Sequence, residues 1–120
     1  MRRSSLALRG QSVWRRTTVS FRPLPAFVII GAQRSGTTSL ATWLWQHPSV
    51  QHPREAEIHF FDLHYEKGMR WYRAQFPLWR PRGATGETSP YMLYHPLAPA
   101  RAARDLTDET RFIALLREPV

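Results

Sequence analysis

The stretch from Phe27 to Leu40, FVIIGAQRSGTTSL, constrains this 120-residue chain more than any other. Four apolar residues, Phe27 to Ile30, read as a short strand buried on both faces. Gly31 and Gly36 follow, and Thr37 to Gln46 has the pattern of a helix that Pro48 stops. A strand, a glycine-rich turn and a helix in that order make an anion site. The helix start presents unpaired N–H groups and the positive end of the dipole, and glycine lets the backbone approach closely. The two glycines are spaced as in the common nucleotide-binding loop, Gly-x4-Gly-Lys-[Ser/Thr]. Here Thr37 stands at the lysine position, Thr38 at the hydroxyl position, and the cation is Arg34 within the loop. The plain alternative is a glycine turn that joins strand to helix and binds nothing.

A second apolar run, Arg111 to Leu116 (RFIALL), is expected to be another buried strand. In nucleotide triphosphatases such a strand commonly ends in an aspartate that helps hold magnesium. Here it ends in Arg117, which repels a metal and attracts phosphate. Ligands in parallel sheets sit beyond the carboxyl ends of the strands, so Gly31–Thr38 and Arg117 are candidate sites. Two separated cations point to a nucleotide with phosphates in two places, a 3′,5′-bisphosphorylated nucleotide, with no metal required.

Between these runs the sequence predicts a loop over Glu55–Asp62 with an extended piece at Ile58–Phe61. It also predicts a helix over Gly68–Phe76 with Tyr72 and Phe76 stacked, a strand at Ala84–Thr88 and a helix over Pro96–Leu106. On the first helix, Leu40, Trp43 and Leu44 share one face. Strands alternating with helices imply an α/β fold with a parallel sheet flanked by helices. Trp71 and Tyr72 read as core.

Charge narrows the partners. Of the net charge of +8, residues 1–54 supply eight arginines and no acid, while residues 55–120 hold nine basic and nine acidic groups and sum to zero. Basicity confined to one end argues against a nucleic-acid-binding face on the folded body and is compatible with an anionic small ligand. Residues 1–25 are expected to be a basic flexible tail, with a composition resembling an organelle transit peptide; otherwise the cytoplasm is the expected location. The chain has no cysteine, which excludes disulfides and catalytic thiols. No apolar run reaches the ~18 residues that span a bilayer. Glu55 and His59 are two scattered ligand types and do not make a metal site.

Several stretches in order resemble the sulfotransferases that use 3′-phosphoadenosine-5′-phosphosulfate (PAPS), most closely the heparan sulfate N- and 3-O-sulfotransferase branch and its bacterial relatives. They are IIGAQRSGTTSL, HPSV, EIHFFD, KGMRWYRAQFP, GETSPYMLYHPLAPARAA and FIALLREPV, over roughly residues 26–120. The resemblance implies a P-loop-containing fold and transfer of a sulfuryl group to a hydroxyl or amine, with carbohydrate the leading acceptor and a small-molecule alcohol or lipid the alternatives. It implies that Arg34, Ser35, Gly36, Thr37 and Thr38 cradle the 5′-phosphosulfate and that Arg117 binds the 3′-phosphate. It implies that Glu57 is the catalytic base, a role that suits a positioned carboxylate. His59 is either a rival base or a group that orients Glu57, and Asp62 either pairs with a cation near the cleft or is a solvated loop position. Glu87 and Tyr91 either line the acceptor cleft or build a turn.

The chain departs from the pattern in two places. Arg34 stands where lysine is frequent, and since arginine does not deprotonate it is expected to stabilise charge rather than donate a proton. Thr88 follows Glu87 where some members have lysine. The resemblance runs to the chain's last residue, so residues 26–120 are expected to be the N-terminal part of a domain, with low activity in isolation. The competing classes are a P-loop kinase or ATPase, which would need ATP and magnesium, and a non-catalytic remnant.

Overall fold

The computed structural model describes residues 22–55, 57–78 and 83–118. The expected tail falls outside the described residues as far as residue 21. Arg22 is packed into the body: it is 1% exposed, and its guanidinium donates to the Phe76 carbonyl. Arg73 in turn donates to the Arg22 carbonyl at 2.9 Å. The packed body therefore includes residues 22–25, with Pro25 also fully buried.

Four strands form one parallel sheet: β1 Phe27–Gly31, β2 Val50–Gln51, β3 Ala84–Thr88 and β4 Arg111–Ala114, in the order β2-β3-β1-β4. The helices are α1 Thr37–Trp45, α2 Phe60–Leu63, α3 Gly68–Ala74 and α4 Ala98–Asp105, with a 3₁₀ turn at Tyr65–Lys67. β1 lies at the centre of the described sheet, and Val28 and Ile29 are fully buried, as the unbroken apolar run requires. Its register pairs Val28 with Glu87 and Phe112, and Ile29 with Thr88 and Ile113. None of the helices among the described residues is long and apolar enough to cross a membrane.

Three expectations are corrected. β4 is not a buried strand. It sits at the edge of the described sheet, with Arg111, Phe112 and Ala114 exposed and Ile113 half-buried. An apolar run reports that a strand has apolar neighbours to meet, but its place in the sheet is set by pairing order. The segment Ile58–Phe61 is not extended. Glu57 makes a single parallel bridge to Thr88, the chain turns at His59 with φ 52°, and Phe60 begins α2. The rings explain the turn: Phe60 and Phe61 both contact Tyr72, at centroid distances of 4.6 and 5.1 Å. Consecutive side chains in a strand point to opposite faces, so both rings reach one core only if the backbone coils. On α1 the shared face is only partly buried: Leu40 and Leu44 are half-buried and Trp43 is 68% exposed, while the fully buried residues are Thr37 and Ala41.

The helices Gly68–Ala74 and Ala98–Asp105 and the strand Ala84–Thr88 fall where the sequence predicts them. Tyr72 and Phe76 meet edge to face at 5.1 Å, and the main core gathers Val28, Ile58, Phe60, Phe61, Tyr72, Phe76, Met92, Ala98 and Ala102. Trp71 packs on its margin. Tyr65 ties the 3₁₀ turn to α4 through its hydroxyl, which donates to Asp105 Oδ2 at 2.5 Å. Aromatic burial at this density holds the segment around His59 in one arrangement.

Candidate functional site

The carboxyl ends of β1, β3 and β4 lie on one side of the sheet, because the three strands are parallel neighbours. The loop after β1 therefore lies beside the segments that leave β3 and β4. Backbone bonds fix this: Ala32 N–H donates to the Leu115 carbonyl, Leu115 N–H to the Gly31 carbonyl, both at 2.7 Å, and Ser89 N–H to the Ile29 carbonyl at 2.9 Å.

Gly31 is confined as well as flexible. Its φ is +150°, and a Cβ there would lie 2.9 Å from both Leu93 Cβ and the Pro90 carbonyl oxygen. Arg34 and Gly36 also have positive φ, 61° and 90°. This sequence of turns carries the chain into α1, where Gly36 is the N-cap without a side-chain cap, Thr37 is buried and Thr38 is exposed. The first N–H groups of α1 have no intrahelical acceptors.

Arg34 and Arg117 come together. With Ala32, Gln33, Ser35, Tyr94, Leu116 and Glu118 they line one cavity of about 400 Å³. Both arginines are exposed and available to an anion. Glu118 places one carboxylate in the same lining. Glu57 and His59 do not line this cavity. They lie at the end of β3, through the Glu57–Thr88 bridge, one strand away from the loop.

There the side chains form a compact cluster. His59 Nε2 is 2.9 Å from Glu57 Oε2, and His59 Nδ1 is 3.0 Å from Asp62 Oδ2. The Asp62 side chain is fully buried, whereas that of Glu57 is 45% exposed. The hydrogen bond to Asp62, outweighing partial burial and joined by the bond to Glu57, pushes the His59 imidazole up to about 9. At neutral pH it is an imidazolium held between two carboxylates. A protonated ring has no lone pair free to take a proton, and its bond to Glu57 Oε2 leaves that carboxylate partly open to solvent.

Beneath this cluster Glu87 is fully buried. Burial pushes its carboxyl up to about 7, against the nearby Tyr72 hydroxyl and the hydrogen bond from Ser89, which favour the charged form. It is therefore not a lining residue of an open cleft. Tyr91 is half-buried beside His95, at 5.8 Å between ring centroids.

The sequence leaves Asp62 open between a cleft partner and a solvated loop position; its i, i+3 spacing from His59 is a signal only where the segment is helical. Glu87 shows its burial only in the sheet. Ser89, whose hydroxyl meets both Glu87 and the His59 N–H, lies thirty residues from His59 and gave no local signal.

Residues 25–119 match the model of the Sulfotransferase family. The chain is 37% identical over 99 residues to heparan sulfate glucosamine 3-O-sulfotransferase 3B1 of Homo sapiens, covering 82% of this chain and 25% of that protein. It is 34% identical over 100 residues to the membrane-associated sulfotransferase kil1 of Dictyostelium discoideum, covering 81% and 21%. A crystal structure of a sulfotransferase from Alicyclobacillus acidocaldarius superimposes with a TM-score of 0.63 at 27% identity, covering 77% of this chain and 44% of that one. The chain thus spans about a quarter or less of the length of these two curated relatives.

Proposed function

The chain belongs to the sulfotransferase family, and from that premise we propose that it carries the donor loop and the base of a site that moves a sulfuryl group from PAPS to an acceptor hydroxyl or amine. The observation that carries the reading is the meeting of Arg34 and Arg117 in one cavity beside the α1 N-terminus. Two cations from different strand ends suit two separated phosphates, and the loop N–H groups suit the anionic end beside Arg34.

PAPS would supply the sulfuryl group and the bisphosphate that departs from it. This chain's residues would do the rest. Arg34 and the N–H groups of Gly36, Thr37 and Thr38 hold the 5′ end and stabilise the negative charge that grows there. Ser35 lies in the same loop and adds a hydroxyl. Arg117 holds the 3′-phosphate. Glu57 takes the proton that the acceptor loses as it attacks. His59, protonated, holds the Glu57 carboxylate in one orientation.

Carbohydrate is the favoured acceptor class. The support is the glucosamine 3-O-sulfotransferase named among the relatives, which acts on heparan sulfate.

Calorimetry with adenosine 3′,5′-bisphosphate tests the donor site. Binding that is unchanged by chelator, and preferred to ATP, is expected. Preference for ATP with magnesium would overturn the reading. For the transfer itself, Glu57→Gln is expected to lower the rate by roughly 10²–10⁴-fold with bisphosphate affinity unchanged.

A further inference from the structure

Glu87 is a buried carboxylate that the proposed chemistry does not use. Burial of an ionisable group without compensation is unfavourable, and an apolar residue of similar size is often tolerated better. Its surroundings give it a task. Ser89 Oγ donates to Glu87 Oε1 at 2.8 Å. With its proton so committed, the same oxygen turns a lone pair toward His59, whose backbone N–H donates to it at 3.0 Å. The Ser89 backbone is itself tied to β1 by its bond to the Ile29 carbonyl. His59 is the residue with φ 52° at which the chain turns into α2. That left-handed conformation is uncommon for a residue other than glycine; histidine adopts it more readily than most, and its neighbours here hold it there.

We propose that Glu87 is a positioning residue: through the Ser89 hydroxyl it fixes the turn at His59 that sets the imidazole between Glu57 and Asp62. The groups facing Glu87 are the Tyr72 hydroxyl from α3, Ser89, and at longer range Asp62 and His59. Glu87 is itself fully buried, so the relay starts in the core and reaches the exposed Glu57 at the other end. The significance for catalysis rests on the sulfuryl-transfer reading; the relay itself does not.

The test is nuclear magnetic resonance titration of the His59 ring in the whole chain, which needs no turnover. Wild type is expected to titrate at about 9. Ser89→Ala removes the relay without changing charge, and its His59 midpoint is expected to fall toward the ordinary ~6.5 while the amide spectrum stays folded. Glu87→Gln keeps an acceptor oxygen at the same place and is expected to titrate as wild type, whereas Glu87→Leu removes the acceptor and is expected to lower the midpoint as Ser89→Ala does; a folded Glu87→Leu chain with an unmoved midpoint would overturn the role of Glu87. A folded Ser89→Ala chain with an unmoved midpoint would overturn the proposal, and so would a Glu87→Gln chain that loses the raised one. If these variants fail to fold, wild type decides: the His59 amide must exchange slowly with solvent, and fast exchange sinks the relay. Failure of the sulfuryl-transfer reading shows elsewhere, as absence of bisphosphate binding by wild type.

Discussion

His59 Nδ1 lies 3.0 Å from Oδ2 of Asp62, and the Asp62 side chain is fully buried. One end of the imidazole is thus anchored in the protein, and the other presents Glu57 to solvent. Asp62→Asn removes the anchoring charge. The His59 midpoint is expected to drop from about 9 toward the ordinary histidine range. Chemical denaturation at neutral pH should show a loss of about 1–2 kcal/mol. An unchanged midpoint would mean that Glu57 alone holds the proton on the ring.

Two raised groups set the direction of the pH dependence. Glu87 titrates near 4.5 when unfolded and at about 7 when folded. The folded chain therefore binds the extra proton between those values, and stability falls as pH rises through them. His59 titrates near 6.5 unfolded and at about 9 folded. Its contribution is fully present below the unfolded value and is lost as pH rises through the folded one. Both slopes have the same sign, so Tm is expected to decline from pH 5 to pH 9. Tm that rises over this window would contradict both assignments. Glu87→Gln should flatten the lower half of the decline and leave the upper half.

The two loop glycines should respond differently to alanine. A Cβ at Gly31 would meet Leu93 and Pro90, while one at Gly36 meets nothing within 4 Å. Gly36→Ala is expected to cost roughly 1–2 kcal/mol from its φ alone. Gly31→Ala adds overpacking and should cost roughly 2–4 kcal/mol. Urea melts rank the two, and the reverse order would contradict the geometry of the loop.

The cations of the donor cavity can be assigned by a cycle. Arg117→Ala is expected to weaken adenosine 3′,5′-bisphosphate binding about 10–100-fold, the worth of one charge-assisted contact. It should leave adenosine 5′-monophosphate binding unaffected. Arg34→Ala should weaken both nucleotides. Equal loss for both nucleotides in Arg117→Ala would remove the 3′-phosphate from its assigned partner.

Arg22→Ala removes a guanidinium that fills core space and serves the Phe76 carbonyl. A loss of about 2–4 kcal/mol is expected from the cavity and the altered polar contacts. A loss near zero would mean that residues 22–25 do not belong to the folded body.

Much was determined by the sequence alone, because it is local. The apolar run Phe27–Ile30, the glycines at 31 and 36, and the helix stopped near Pro48 follow from burial, φ freedom and the loss of a backbone donor, which neighbouring residues dictate. Arg34 and Arg117 could be nominated for the same reason, since each follows a strand. What only the tertiary structure decided is pairing. β4 is an edge strand of the described sheet because β1 takes its one pairing there, and no periodicity within Arg111–Leu116 encodes that. Phe60 and Phe61 coil because both rings must reach Tyr72. Asp62, Glu87 and Ser89 acquire their roles from three segments that meet around His59. A buried carboxylate and an exposed one read alike in a sequence; they differ only in what the fold brings against them.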